Sequence, residues 1–371
     1  MNAMKRVASL AVATAMVFAM GACGGGVSDS AQTGSASAAT GAYKAATGGE
    51  LHVYTWAGYM PDSVIKAFEK DTGIELTVDT FDSNEALEAK MKSTGGTGYD
   101  IVMPSDYMVK QMISEGLLLK FDTSSLPNAK NIATEFTSPY YDSDLEYSAP
   151  YIVGYTGIVY DSSSISAQDA PTSWKKFFSS SSSIGKAQVL DDQIEITNAA
   201  LRAVGSDQCS TNSDDYQKAS TLLDGFKSKV GVLSSEGVAD RLASGEEEYG
   251  MAWSYDAYQA IVSNPNLKFV YPTDGTSKFV DNMAISAGAE NVSQAKTFIN
   301  WMLNPKNKVA VEESGGAGSV LKGGNELLPE AMRKSNVIVP SSAELKTLRM
   351  EKACSNKVND YYTQLFEDFR R

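Results

Sequence analysis

LHVYTWAGYMPDSVIKAFEKDTGIELTVDTF, Leu51 to Phe81, reads as strand, helix, strand. Leu51 to Thr55 is a buried-type strand, Asp62 to Thr72 a helix stopped by the DTG of Asp71 to Gly73, and Glu75 to Thr80 a second strand. The alternation continues with a helix over Asn84 to Ser93, a stop in STGGTG, a strand over Tyr99 to Met103 and a helix over Tyr107 to Glu115. Asp62, Asn84 and Ser105 supply the helix start signals. Such alternation implies an α/β fold with a parallel sheet. Ligands of such sheets sit beyond the carboxyl ends of the strands. Trp56 and Tyr59 leave the first strand at that point, and taken alone they suit core packing and ligand binding equally.

The 371 residues, 43% hydrophobic and 21% charged, are enough for two domains with sizeable cores. The net charge of −13 excludes ordinary nucleic-acid binders and suits cationic ligands. The single histidine, His52, lies inside the first strand, so a Ser-His-Asp or Cys-His device would depend on it alone, and a zinc site would lack a second imidazole. No metal and no cofactor are expected.

Residues 1–22 have the form of a secretory signal: Lys5 and Arg6, the apolar run Val7 to Met20, then Gly21 and Ala22 before Cys23. Loss of its two cations takes the net charge from −13 to −15. MGAC, Met20 to Cys23, resembles a bacterial lipobox with Met where Leu is preferred, which implies a lipidated Cys23 holding the protein to the outer face of the cell membrane. The Gly/Ser/Ala-rich tract Gly24 to Gly49 then reads as a flexible tether reaching about 25–30 Å. In an exported protein, Cys209 and Cys354 suit a disulfide better than two free thiols.

Further along, YSAPYIVGYTGIVYD, Tyr147 to Asp161, is long and apolar for one strand, and Gly154 and Gly157 within it suggest a passage between domains near Gly154. Pro171 to Phe178 reads as a helix with Trp174 buried, and Ser179 to Ser183 as a polar loop. Lys186 to Gly205 is strand, acidic turn, helix; a helix precedes the strand Tyr249 to Trp253; Leu267 to Gly288 is strand, turn, strand. Val292 to Ser314 forms an amphipathic helix pair with Trp301 toward the core, and Ser341 to Arg371 reads as helical, with Tyr361, Tyr362, Leu365 and Phe366 on its apolar face.

Aromatic and acidic side chains recur together at strand ends: Trp56 and Tyr59, Ser105 and Tyr107, Asp192 and Glu195, Trp253 and Asp256, Phe279 and Asp281. An ammonium group offers three donors and no acceptor, so it needs carboxylates at its head, while its methylene chain wants flat apolar walls. One ion pair at 4 Å gives about 4 kcal/mol at an effective dielectric of 20 before desolvation, and each buried methylene adds roughly 0.8 kcal/mol. Each piece also has a purely structural reading. Asp192 and Glu195 have capping-box spacing, and the positive end of the helix they open opposes a cation. Ser105 suits an N-cap, Trp253 the core and Asp281 a turn.

The stretches YTWAGYMPDSVIKAFEKDTGIELTVDTFDSNEALEAKMK and YDIVMPSDYMVKQMISEGLLLKFDTSSLPN closely resemble the spermidine/putrescine-binding proteins of bacterial ABC importers. The likeness continues through APYIVGYTGIVYD, PTSW, VLDDQIEITNAALRAVG, GMAWSYDAY and FVDNMAI, across nearly all of Leu51 to Arg371. It implies a two-lobe periplasmic-binding-protein type II fold with an interlobe ligand cleft, no enzymatic activity, and a monomer serving a permease and an ATPase. The first lobe would hold residues 50–154 and 280–325, the second 155–279 and 326–371. By matching motifs it assigns the ligand site to Trp56, Tyr59, Ser105, Tyr107, Asp192, Glu195, Trp253, Asp256, Phe279 and Asp281, with Asp256 and Phe279 nearer the putrescine type. Gly58 replaces an acid and Ala317 a tyrosine; a glutamine is missing around Leu348, where Arg349 would repel a long cation if it pointed inward. These departures favour a short diamine held by the second lobe's carboxylates. Two other readings remain: another amine or quaternary ammonium cation on the same fold, or an exported hydrolase using Asp192 and Glu195 or Asp281 as a carboxylate pair. A surface lipoprotein with a structural role would need none of these side chains to meet.

Overall fold

The computed structural model describes residues 39–179 and 184–371. The signal segment, Cys23, the tether as far as residue 38 and most of the serine loop after Phe178 lie outside the described residues.

The first alternating unit is β1 (Glu50–Trp56), α1 (Asp62–Thr72), β2 (Glu75–Phe81), α2 (Asn84–Thr94), β3 (Ile101–Val102) and α3 (Asp106–Ser114). The long β4 (Ser148–Asp161) leads to a second unit: α4 (Trp174–Phe178), β5 (Ala187–Val189), α5 (Gln193–Ala203), α6 (Ser213–Phe226), β6 (Val230–Leu233), α7 (Val238–Ser244), β7 (Tyr249–Trp253), α8 (Ser254–Ser263) and β8 (Leu267–Val270). The chain returns through β9 (Thr276–Ile285), α9 (Val292–Met302), α10 (Pro305–Gly315), β10 (Gly318–Ser319), α11 (Gly324–Leu327) and α12 (Glu330–Arg333), and ends with β11 (Leu348–Met350) and α13 (Asn356–Arg370).

The strand order is β2-β1-β3-β9-β4-β7-β5-β6. β1 pairs parallel with β2 and β3, and β5 parallel with β6 and β7, as the alternation implies. The middle of the sheet is antiparallel, which the alternation of strands and helices did not indicate: β9 opposes β3 and β4, and β4 opposes β7. These strands link two α/β lobes and enter from the opposite direction. β4 pairs with β9 from Ser148 to Tyr155 and with β7 from Thr156 onward, so one strand serves both lobes. Gly154 lies opposite Phe279, and a Cβ there would come within 2.3 Å of the Phe279 ring. The glycine is what lets that ring lie flat on the crossing strand.

α1 buries Val64 and Phe68, and the Phe68 ring meets Phe298 and Trp301 edge-on at 5.2 and 5.6 Å. Trp301 is only half-buried; its indole N–H donates to Asp71 at 3.0 Å. Two helix starts differ from the expected positions. Pro61 precedes α1 without a side-chain cap, and Ser83, not Asn84, caps α2 by accepting from the Ala86 N–H. Trp174 is fully buried on α4.

The ending is not helical throughout. Leu348–Met350 forms β11, which lies parallel to Thr276–Lys278 of β9 and covers that edge. α13 then buries Val358, Tyr362, Leu365, Phe366 and Phe369, while Tyr361 is half-buried and stacks on Tyr216. A disulfide joins Cys209 to Cys354 with 5.3 Å between Cα atoms, and Gln208 donates to the Met350 carbonyl beside it. The tract assigned to a free tether is docked from Ala39: the Ala39 N–H donates to the Lys120 carbonyl, and the Ala46 N–H to the Thr297 hydroxyl. Among the described residues no helix is long and apolar enough to cross a membrane.

Candidate functional site

The carboxyl ends of β1, β3, β5 and β7 face one another across the two lobes, with β4 and β9 at the floor. Two connected cavities fill the cleft. The inner one, about 30 Å³, is lined by Trp56, Tyr59, Ser105, Tyr107, Asp192, Glu195, Trp253, Phe279 and Asp281. The outer one, about 660 Å³, shares Trp56, Tyr59 and Trp253 and adds Asp256. Nine of the ten side chains expected to bind ligand therefore converge on the inner cavity, and Asp256 stands outside it.

Asp281 is buried on β9. Its two oxygens accept from the Tyr59 hydroxyl at 2.7 Å and the Ser105 hydroxyl at 2.6 Å. Ser105 thus does not cap α3: no cap bond forms, and its hydroxyl instead accepts from the Asn84 amide at 3.1 Å and donates to Asp281. Moving the α2 cap to Ser83 is what frees Asn84 for this role. Tyr59 is held from behind, because the Tyr151 hydroxyl donates to its carbonyl at 2.7 Å. Lys308, buried over the Tyr151 ring at 4.0 Å and paired with Glu312 at 3.9 Å, braces that tyrosine.

On the other lobe the capping box is half formed. Asp192 accepts from the Glu195 N–H at 2.9 Å and caps α5. Glu195 does not reach back; it accepts from the Trp253 indole N–H at 3.1 Å and from the Thr156 hydroxyl. One acid therefore serves the helix, and the other is held against the aromatic wall. Trp253 stacks on Tyr255 at 5.8 Å, and Trp56 meets Trp253 across the cleft at 6.4 Å. Tyr107 donates to Glu85 at 3.1 Å.

The electrostatics are one-sided. Among the described residues no Lys or Arg lines either cavity. Burial pushes the carboxyl of Glu195 up to about 7, with the Asp192 charge adding to the shift. Burial likewise takes Asp281 to about 6 against the opposing hydrogen bonds from Ser105 and Tyr59. Asp192 is raised by burial as well. Such a cluster stores repulsion that a bound cation would relieve. Among the described residues no group of His, Cys, Asp or Glu has the arrangement of a metal site.

Residues 63–327 match the family described as bacterial extracellular solute-binding protein. This chain belongs to that family. The solute-binding protein is 30% identical over 321 residues to the spermidine/putrescine-binding periplasmic protein 1 of Haemophilus influenzae, a match covering 86% of this chain and 88% of the other. It superimposes on the spermidine/putrescine ABC transporter substrate-binding protein PotD of Streptococcus pneumoniae with a TM-score of 0.74 and 29% identity, covering 86% and 98% of the two chains. It also superimposes on the Tp0655 (TpPotD) lipoprotein of Treponema pallidum, with a TM-score of 0.76, 27% identity and coverage of 86% and 99%. The fold of the solute-binding protein is accordingly the two-lobe periplasmic-binding type.

Sequence reasoning missed Glu351, Tyr255, Asn84 and Ile194, all of which line the inner cavity. Glu351 follows β11 directly and is buried; burial, then Glu195 and Asp106, hold its carboxyl well above the usual range. A helix assigned over Ser341 to Arg371 hid it. Tyr255 carried a signal, being two residues from Trp253. Arg349, two residues before Glu351, does not point inward: its guanidinium donates to the carbonyls of Lys346 and Leu348 at the surface.

Proposed function

We propose that this solute-binding protein captures a polyamine in the interlobe cleft and delivers it to the permease of an ABC importer. The observation that carries the reading is the inner cavity, where Asp192, Glu195, Asp281 and Glu351 surround aromatic walls with no lining cation among the described residues. An ammonium there would meet carboxylates, and its methylenes would lie between Trp56, Tyr59, Trp253 and Phe279. The names of relatives such as the spermidine/putrescine-binding protein of Haemophilus influenzae support the same ligand class. Closure of the two lobes on the ligand would produce the form that the permease recognises.

The lobe boundaries in β4 and β9, a lipid anchor at Cys23 and a monomeric state belong to the same proposal; the name lipoprotein borne by the Treponema pallidum relative supports the anchor. The hydrolase reading is not favoured, because Asp192 is engaged as a helix cap and Glu195 is bonded by Trp253. Titration calorimetry with putrescine, spermidine and a quaternary ammonium control tests the proposal. Polyamine binding with no heat from the control supports it, and silence from every amine at millimolar concentration overturns it.

A further inference from the structure

A buried cation lies behind Glu195. Arg202 stands about two turns further along the same face of α5, and its side chain is buried although it lines neither cavity of the cleft. Arginines ordinarily carry their charge to the surface along an apolar stem, and few are buried unless paired.

This one is poorly paired. Nη1 donates to the Ser277 hydroxyl at 3.3 Å, while Nε and Nη2 are buried without a hydrogen-bond partner among the described residues. The ion pair with Asp207 is long, 3.9 Å from Nε, and that carboxylate is largely exposed. Buried donors are ordinarily bonded, so a guanidinium left this free is a costly way to join a helix to a sheet. Ser277 gives it a direction. The residue lies on β9 two positions before Phe279, is fully buried, and its hydroxyl in turn donates to Glu195, which lines the inner cavity. Arg202, Ser277 and Glu195 form a line that reaches the cavity from behind.

The other groups around that line are mostly acidic. Glu195 faces Asp192 on its own helix, Asp106 of α3, Tyr255 of α8 and Glu351 after β11. Arg202 faces Glu195, Glu351, Asp207 and Tyr362 of α13, and it draws Glu195 and Glu351 toward their ionised forms against burial. On its outer side it backs surface pockets shared with Lys175, Lys218, Asp274 and Arg349. Such a charge has two opposed effects on a bound ammonium: it favours the carboxylates that the ammonium needs, and it repels the ammonium itself. The first acts only where the carboxyl would otherwise be protonated, whereas the second acts at every pH.

We propose that Arg202 is a positioning residue for ligand capture: through Ser277 it aims the Glu195 carboxylate into the inner cavity and supplies the countercharge that readies it for an ammonium. The inference rests on the polyamine reading. Its consequence is a division by pH, since Arg202 assists binding in mildly acid solution and gives no advantage once the carboxyls are ionised unaided.

Calorimetry with spermidine at pH 6 and pH 8.5, on the wild type and on Arg202→Met, Arg202→Lys and Ser277→Ala, tests it. Arg202→Met is expected to weaken binding about tenfold at pH 6 and less than about twofold at pH 8.5, as for a carboxyl whose midpoint moves up by about one pH unit. Arg202→Lys, which keeps the charge, is expected to recover most of the loss at pH 6, and Ser277→Ala to reproduce part of it. Unchanged binding, equal losses at both pH values with a lower Tm, or a lysine variant no better than methionine would make Arg202 a structural residue and overturn the inference. Should Arg202→Met not fold, Ser277→Ala decides alone, and unchanged affinity at pH 6 overturns the relay. Silence of the wild type toward spermidine at both pH values overturns the polyamine reading instead.

Discussion

Asp281 shows how one side chain changes meaning between sequence and structure. Read alone it is a turn acid; folded, it is a buried carboxylate held by two hydroxyls and left with capacity for a cation. Asp281→Asn keeps the shape and removes the charge, and truncating one partner of a buried charge pair costs about 2–5 kcal/mol. Polyamine affinity is therefore expected to fall by about thirtyfold or more, and an unchanged Kd by calorimetry would remove Asp281 from the site. The raised carboxyls of Asp281, about 6, and Glu195, about 7, make binding pH-dependent. An ammonium pairs with the ionised forms, so affinity is expected to fall as pH drops from 8 to 5.5, with protons released on binding near pH 6.5. Enthalpies measured in buffers of different ionisation heat would report that release, and buffer-independent heats would refute it.

At the scale of elements, β4 and β9 matter most, because they pair from Ser148 to Tyr155 in the middle of the sheet and β9 carries Phe279 and Asp281. Gly154→Ala would drive a methyl into the Phe279 ring; overpacking of this kind costs about 1–3 kcal/mol and would displace one wall of the cavity. A lower Tm together with weaker polyamine binding is expected, and a variant unchanged in both would show that the strand can yield there. The disulfide plays a related part for β11. Cys354 lies three residues after Glu351, and the bridge spans 145 residues of sequence. Cys209→Ser is expected to cost about 2–5 kcal/mol in urea unfolding. It should also weaken polyamine binding, since Glu351 loses a nearby tie, whereas a purely global effect would leave the Kd of the folded fraction unaltered.

For the whole molecule, the acidic cleft sets stability against function. Carboxyls raised in the folded state bind more protons folded than unfolded between about pH 4.5 and 7, so the ligand-free protein loses their contribution as pH rises through that window. A bound polyamine would offset the repulsion among these buried carboxyls. The ligand-induced rise in Tm is therefore expected to be larger at pH 8 than at pH 5, and an equal or smaller rise at pH 8 would mean that the cluster is not what the ligand neutralises. By itself the sequence determined the alternating units, because periodicity and capping act over a few residues: α1 runs from Asp62 to Thr72 as read, and β7 from Tyr249 to Trp253. It also placed aromatics and acids at strand ends. What only the tertiary structure decided was long-range: the antiparallel middle of the sheet, the assignment of Ser105 to Asp281 in place of a helix cap, and Glu351 beside the cluster. Those depend on pairings between segments far apart in the sequence, where local propensity carries no information and burial chooses among partners.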